Sequence, residues 1–151
     1  MVTGRRGLAL AVRVADCVPV LFADPDAGLV GAAHAGRAGL VAGVIRATVA
    51  TLRERGATRL TAWIGPHICG ACYEVPPEMA AAFADAIRVP PTTTRFGTMG
   101  IDLGAAARRQ LDALGVPWEP HEACTLHEPG LSSHRRDGAC AGRLAGLVWL
   151  A

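Results

Sequence analysis

Two short stretches carry the side chains best suited to chemistry. Cys17 follows an aspartate in "RVADCVPVLFADP", and His34 precedes Ala-Gly-Arg in "VGAAHAGRAGL". A thiol and an imidazole can share a metal ion, or form a nucleophile–base pair without one. A thiolate beside a histidine or a helix N-terminus has a lowered pKa, which suits either role. The competing reading is a small apolar core residue, since free cysteine is among the most buried types.

Three further groupings stand beside this pair. Cys69-Gly-Ala-Cys72 is a single CxxC, a weak zinc signal without a second pair of ligands, and structural loop cysteines are the expected reading. His67, two residues upstream of Cys69, keeps a metal role open. His121, Cys124 and His127 recur at three-residue spacing in "HEACTLHEPG", but no continuous helix presents them together, so a loop is expected. "SHRRDG" concentrates Arg135, Arg136 and Asp137 at a turn, where an arginine pair could clamp a phosphate or carboxylate, or one arginine could be held by Asp137.

The elements that must position these groups follow from the apolar pattern. "LALAVRV", "VPVLFAD" and "LVGAAHA" read as strands, and "DPDAG" is a turn that joins the last two as an antiparallel hairpin. Cys17 and His34 then sit at its open ends, nearly opposite, where directly paired Cβ atoms are about 4.5–5.5 Å apart. Residues 37–56 read as one amphipathic helix capped by Gly56, placing His34-Ala-Gly before a helix N-terminus that favours an anion. "RLTAWIG" is a further strand. "PPEMAAAFADAI" and "IDLGAAARRQLDALG" are helices, the second with Asp102 as N-cap. "TTTRFGTMG" is a loop, and "GRLAGLVWLA" is expected to close the chain as a buried strand. Strands and helices mix without strict alternation, which gives an α+β class.

Composition bounds the function. The chain has 151 residues and is 51% hydrophobic, enough for one domain with its own core. A net charge of +2 gives no case for a nucleic-acid partner. All fifteen basic residues are arginine, so the Arg135-Arg136 pair is less conspicuous than it looks. Five cysteines at irregular spacing do not form a disulfide framework, which favours a reduced, cytoplasmic setting. The N-terminal apolar run is broken by Arg13, too short for a signal core or a membrane span.

Taken in order, "ADCVPVLFADP", "VGAAHAGRAGL", "WIGPHICGACYEV", "IDL", "CT" and "SHRRDGACAGRLAGLVWL" resemble the YfiH family. It is also known as DUF152, the laccase-domain or multicopper polyphenol oxidoreductase family, and includes purine nucleoside phosphorylase-like members. The resemblance implies a layered α/β sandwich of mixed sheets and helices. It also implies a zinc site held by a His of a Gln-Val-His-Gly motif, the Cys of Ala-Asp-Cys and the His of His-Ala-Gly. The last two fall on Cys17 and His34. No Gln-Val-His-Gly occurs in the chain, so residues 1–151 are expected to correspond to the C-terminal part of the family domain, and His67 is the weak stand-in for the third ligand.

The implied activity is zinc-dependent chemistry on purine nucleosides: phosphorolysis of adenosine, inosine and methylthioadenosine, and adenosine deamination. Cys17 and His34 are the expected metal ligands and catalytic centre, with Asp16, Arg37, Arg135 and Asp137 as expected substrate-binding residues, Asp16 and Asp137 alternatively supporting the site from behind the ligands. The expected partners are a nucleoside and phosphate, with no nucleic acid and no membrane. Strands absent on the N-terminal side would leave an open sheet edge that favours self-association. Copper-dependent polyphenol oxidation ranks second, because the five histidines show no paired His-x-His spacing. An inactive or partner-dependent homologue and a metal-free Cys–His hydrolase complete the alternatives.

Overall fold

The runs "VPVLFAD" and "LVGAAHA" are apolar at nearly every position because both of their faces are covered. The computed structural model describes residues 1–151. In chain order its elements are β1 (Val2–Thr3), β2 (Leu10–Val14), β3 (Val18–Asp24), β4 (Leu29–Ala35), α1 (Arg37–Val41), α2 (Val44–Glu54), β5 (Thr61–Ile64), α3 (Pro77–Ile87), β6 (Thr92–Thr93), β7 (Met99–Gly100), α4 (Leu103–Ala113), β8 (Trp118–Pro120), α5 (His134–Asp137) and β9 (Leu144–Val148). A five-stranded sheet runs β1-β4-β3-β5-β8, antiparallel except for the parallel β5–β8 pair. A second sheet of β2 and β9 is antiparallel, and β6 with β7 forms a small hairpin within the segment expected to be a loop.

Side-chain alternation sorts the large sheet into two faces. Val18, Val20, Phe22, Ala33 and Ala35 point into the main core, shared with Leu40, Ile45, Leu52, Leu103 and Leu111 of the helices. On the other face Ala32 packs with Val12 and Val14 of β2, with Leu21 and Cys17 at the margin. Helices, large sheet and small sheet therefore stack as three layers, the mixed α+β sandwich expected from the sequence. No helix is long and apolar enough to cross a membrane.

Two elements differ from their sequence reading. The helix expected over 37–56 breaks at Gly43, whose φ of 77° is left-handed, so α1 is only five residues long. A single short turn sums few peptide dipoles, and an anion site built on that dipole loses its basis. The final strand is half exposed rather than buried: Leu147 and Trp149 are exposed, because β9 pairs with β2 alone.

One buried carboxylate fixes the hairpin that carries the site. Asp24, fully buried at the end of β3, accepts hydrogen bonds from the backbone N–H groups of Thr58 and Arg59 at 2.7 Å each and Ala27 at 3.0 Å. The Arg59 amide foremost, with that of Ala27, holds its pKa below the ordinary 3.8. Asp24→Ala is expected to destabilise the chain by about 3 kcal/mol, since hydrogen bonds to charged groups are each worth about 1.5–3 kcal/mol and the amides would be left unpaired. A lowered folded-state pKa means this stabilisation is present above the unfolded value and is lost as pH falls through the folded one. Chemical denaturation at neutral pH and near pH 3 checks both parts: the gap between wild type and Asp24→Ala should shrink in acid.

Candidate active site

The β3–β4 register pairs Pro19 with His34 and Val18 with Ala35. Cys17 is therefore one step diagonal to His34 and on the same face, near the almost opposite placement expected but not directly paired with it. The side chains still converge. A Cβ built on Gly36 would lie 2.8 Å from the Cys17 Sγ and 3.7 Å from the His34 Nε2. Glycine at 36 thus keeps open a small space bounded by one sulfur and one imidazole nitrogen. That donor pair suits zinc or copper, and the space fits an ion held by two of its ligands with further positions free.

The turn before Cys17 is locked from several sides. Asp16 has φ 81°, in the region that costs a non-glycine residue energy. Its buried carboxylate accepts from the Thr125 hydroxyl and from the Arg135 N–H, both at 2.6 Å, and its carbonyl accepts from the Ile68 N–H at 3.0 Å. Both carboxylate oxygens are engaged within the chain, so Asp16 orients the Cys17 turn. Burial, and then the Asp16 charge, push the Cys17 thiol above its ordinary pKa. That reverses the expectation of a lowered thiol, because the sulfur is partly buried and the charge next to it is an anion. A thiol held in its protonated form is a poor nucleophile without a cation beside it, which disfavours a metal-free hydrolase.

Beside this pair lies a cleft of about 670 Å³, lined by Arg37 and Arg135, Tyr73, and apolar walls that include Val75, Pro76, Met79 and Met99. The Arg135 guanidinium sits 5.0 Å from the Tyr73 ring centroid. Tyr73 is pushed above the ordinary phenol value by burial and then by the neighbouring Cys17, against Arg135 and Arg37. Its phenol therefore keeps its proton at neutral pH. Tyr73 was not singled out from the sequence, although it sits in "CYEV"; nothing in one tyrosine between a cysteine and a glutamate marks a cleft.

The "SHRRDG" turn resolves into unequal partners. Arg136 pairs with Asp137 through Nε at 2.8 Å and Nη2 at 2.9 Å, and donates to the Thr125 and Leu131 carbonyls. Asp137 is thereby committed to Arg136, and Arg135 is the arginine that faces the cleft. His67 donates its Nδ1–H to the Gly65 carbonyl, 2.9 Å away, and its Nε2 abuts Gly104 at the start of α4. The structure does not gather it with Cys17 and His34.

The cysteines expected to be separate loop residues come together. The sulfurs of Cys69, Cys72 and Cys124 lie within 4.8 Å of one another. Burial and hydrogen bonding with Cys124 push Cys69 up to about 12. Cys124 ends below its ordinary value although burial opposes this, because the Cys69 amide and thiol both donate to it. The signal available in the sequence was a second x₂ spacing, Cys124 to His127.

The family model for the multi-copper polyphenol oxidoreductase laccase matches residues 1–151. A purine nucleoside phosphorylase of Streptomyces griseus is 53% identical over 154 residues, covering 99% of this chain and 62% of the relative. The adenosine deaminase RL5 of an unknown prokaryotic organism is 37% identical, covering 95% of this chain and 58% of that protein. The crystal structure of the Bacillus licheniformis hypothetical protein YfiH superposes with a TM-score of 0.85 at 34% identity, over 99% of this chain and 60% of that one. The chain thus spans about three fifths of the length of these relatives. The matched length, the layered fold and the Ala-Asp-Cys and His-Ala-Gly motifs agree, and the chain belongs to the multi-copper polyphenol oxidoreductase laccase family.

Proposed function

We propose that this chain carries the metal-ligating and anion-binding part of a purine nucleoside enzyme. Phosphorolysis of adenosine and related nucleosides is its principal reaction, and adenosine deamination a second. The observation that carries this reading is the convergence of Cys17 and His34 around Gly36, beside a cleft that presents Arg37 and Arg135. The names borne by the Streptomyces griseus and RL5 relatives support the same reading.

In phosphorolysis a phosphate oxygen forms a bond to the ribose C1′, the C1′–N9 bond breaks, and the purine leaves with its bonding pair and takes up a proton. The chain's contribution is to hold both reactants in register. Two guanidiniums match the charge and fork geometry of phosphate, and the apolar walls of Val75, Met79 and Met99 suit the flat face of a base. Tyr73, still protonated, donates its hydroxyl into the same space. Zinc held by Cys17 and His34 supplies Lewis acidity when bound. Asp16 and Asp137 act one layer out, through the Cys17 turn and through Arg136.

The copper reading and the partner-dependent reading make different demands. Copper oxidation of phenols needs neither Arg135 nor phosphate. A partner-dependent chain turns over nothing alone.

Arg135→Ala provides the test. Losing one charge-assisted contact worth about 1.5–3 kcal/mol is expected to raise the KM for phosphate about 10–100-fold. Deamination of adenosine, which uses no phosphate, should change little. The contrary result, an unchanged KM for phosphate with deamination impaired, places the anion elsewhere.

A further inference from the structure

Outside the Cys17 site, two turns separated by some fifty residues of sequence repeat one hydrogen-bond pattern. In the first, the Cys69 carbonyl accepts from the N–H of Cys72 at 2.9 Å and of Tyr73 at 3.1 Å. In the second, the Cys124 carbonyl accepts from the N–H of His127 and of Glu128, both at 3.1 Å. Each turn therefore projects two ligand-type side chains, at its first and fourth positions, to one side. The turns are locked face to face. Thr125 N–H donates to the His67 carbonyl at 3.0 Å, and Cys69 N–H donates to the Cys124 sulfur at 3.3 Å.

The donors that result are three sulfurs within 4.8 Å of one another and the His127 Nε2, 3.0 Å from the Cys72 Sγ. A tetrahedral zinc with Zn–S near 2.3 Å sets its sulfurs about 3.8 Å apart, with nitrogen slightly closer. The three sulfurs stand close to that spacing, while the exposed His127 ring, in contact with Cys72 but outside the three-sulfur cluster, must turn toward Cys69 and Cys124 to complete the tetrahedron. The Cys69 amide aimed at sulfur is the kind of outer contact that steadies a metal-bound thiolate.

We propose that Cys69, Cys72, Cys124 and His127 form a second, closed zinc site, structural in kind and distinct from the Cys17–His34 centre. Four protein ligands leave no position for substrate. The site acts as a staple between two loops that serve the active site. Tyr73, which follows Cys72, lines the cleft, and Thr125, which follows Cys124, holds the Asp16 carboxylate. Zinc here orders both at once. It also explains why three thiols crowd together beside an imidazole when a core would be better filled by aliphatic side chains.

The test is zinc retention. The reduced chain is equilibrated with zinc alone, dialysed against a weak chelator, and assayed for metal by mass spectrometry. Wild type is expected to retain about one zinc per chain, the count for a single closed site. Cys17→Ala should retain the same amount, and Cys72→Ser should retain none. His127 is exposed, so His127→Ala is expected to fold and yet to release zinc at chelator concentrations that wild type resists. As a measurement free of folding effects, alkylation of the native wild-type chain should spare Cys69, Cys72 and Cys124 with zinc and label them once it is chelated. Retained zinc that is lost in Cys17→Ala and kept in Cys72→Ser and His127→Ala overturns the proposal. So does a reduced wild-type chain that retains no zinc, or one whose three thiols label equally with and without it.

Discussion

Cys17→Ala is expected to lower nucleoside turnover by more than about 100-fold while leaving the thermal unfolding temperature nearly unchanged. Loss of an outer-shell partner of a metal ligand commonly costs about 10–100-fold, and loss of the ligand itself should exceed that. The fold should tolerate the change because Cys17 is only half-buried and sits at the margin of the small Val12–Val14–Ala32 cluster. No hydrogen-bond partner is orphaned. Combining Cys17→Ala with His34→Ala should cost little more than the first change alone, since residues that act as a unit lose their effect together. Activity within about threefold of wild type in Cys17→Ala, or fully additive losses in the double variant, would mean that the two residues do not share a centre.

Asp16→Ala should destabilise the chain by about 3–5 kcal/mol. Two charge-assisted hydrogen bonds are lost, to the Thr125 hydroxyl and the Arg135 N–H, and the fully buried Thr125 hydroxyl is left without its partner. The left-handed backbone at φ 81° adds a further cost for alanine. Asp16→Gly separates the two contributions. Glycine adopts this conformation freely, so it should recover about 1–2 kcal/mol of the loss and no more. Thermal and chemical denaturation of both variants checks this. Equal destabilisation by alanine and glycine would show that the backbone there carries no strain. The same variants should weaken turnover through kcat, because the Cys17 turn loses its anchor, with the KM for phosphate less affected than in Arg135→Ala.

The parts of this arrangement that were legible in the sequence are those set by local pattern. Two near-continuous apolar runs flanking "DPDAG" located the β3–β4 hairpin, and Asp102 caps α4 through the Ala105 N–H as its position suggested. The convergence of Cys17 and His34 could be anticipated because a single hairpin carries both. The register could not, since a shift of two residues leaves the inward and outward pattern unchanged. Gly43 interrupts an otherwise helical periodicity, and nothing in its neighbours distinguishes a tolerated helix glycine from one with positive φ.

What stayed hidden depends on contacts between distant segments. Cys69 and Cys72 looked like a lone pair because the matching turn, Cys124 to His127, reaches them only through the loops after β5 and β8. Those two strands pair in parallel, and β8 is three residues long, too short to announce itself by alternation. The role of Asp16 stayed open for a related reason. Its charge and position beside Cys17 suited either a substrate contact or a support behind the ligands, and the two partners that engage its oxygens, Thr125 and Arg135, lie more than a hundred residues away. Arg135 and Arg136 are adjacent and identical in type, and only the fold assigns one to the cleft and the other to Asp137.

The most direct test of the central claim is chromatographic analysis of adenosine incubated with the zinc-equilibrated chain, with and without phosphate, alongside Cys17→Ala. The account predicts phosphate-dependent release of adenine, slower formation of inosine without phosphate, and loss of both products in the variant. Adenosine left intact while the copper-loaded chain oxidises a phenol, or nucleoside turnover that survives Cys17→Ala, would contradict it.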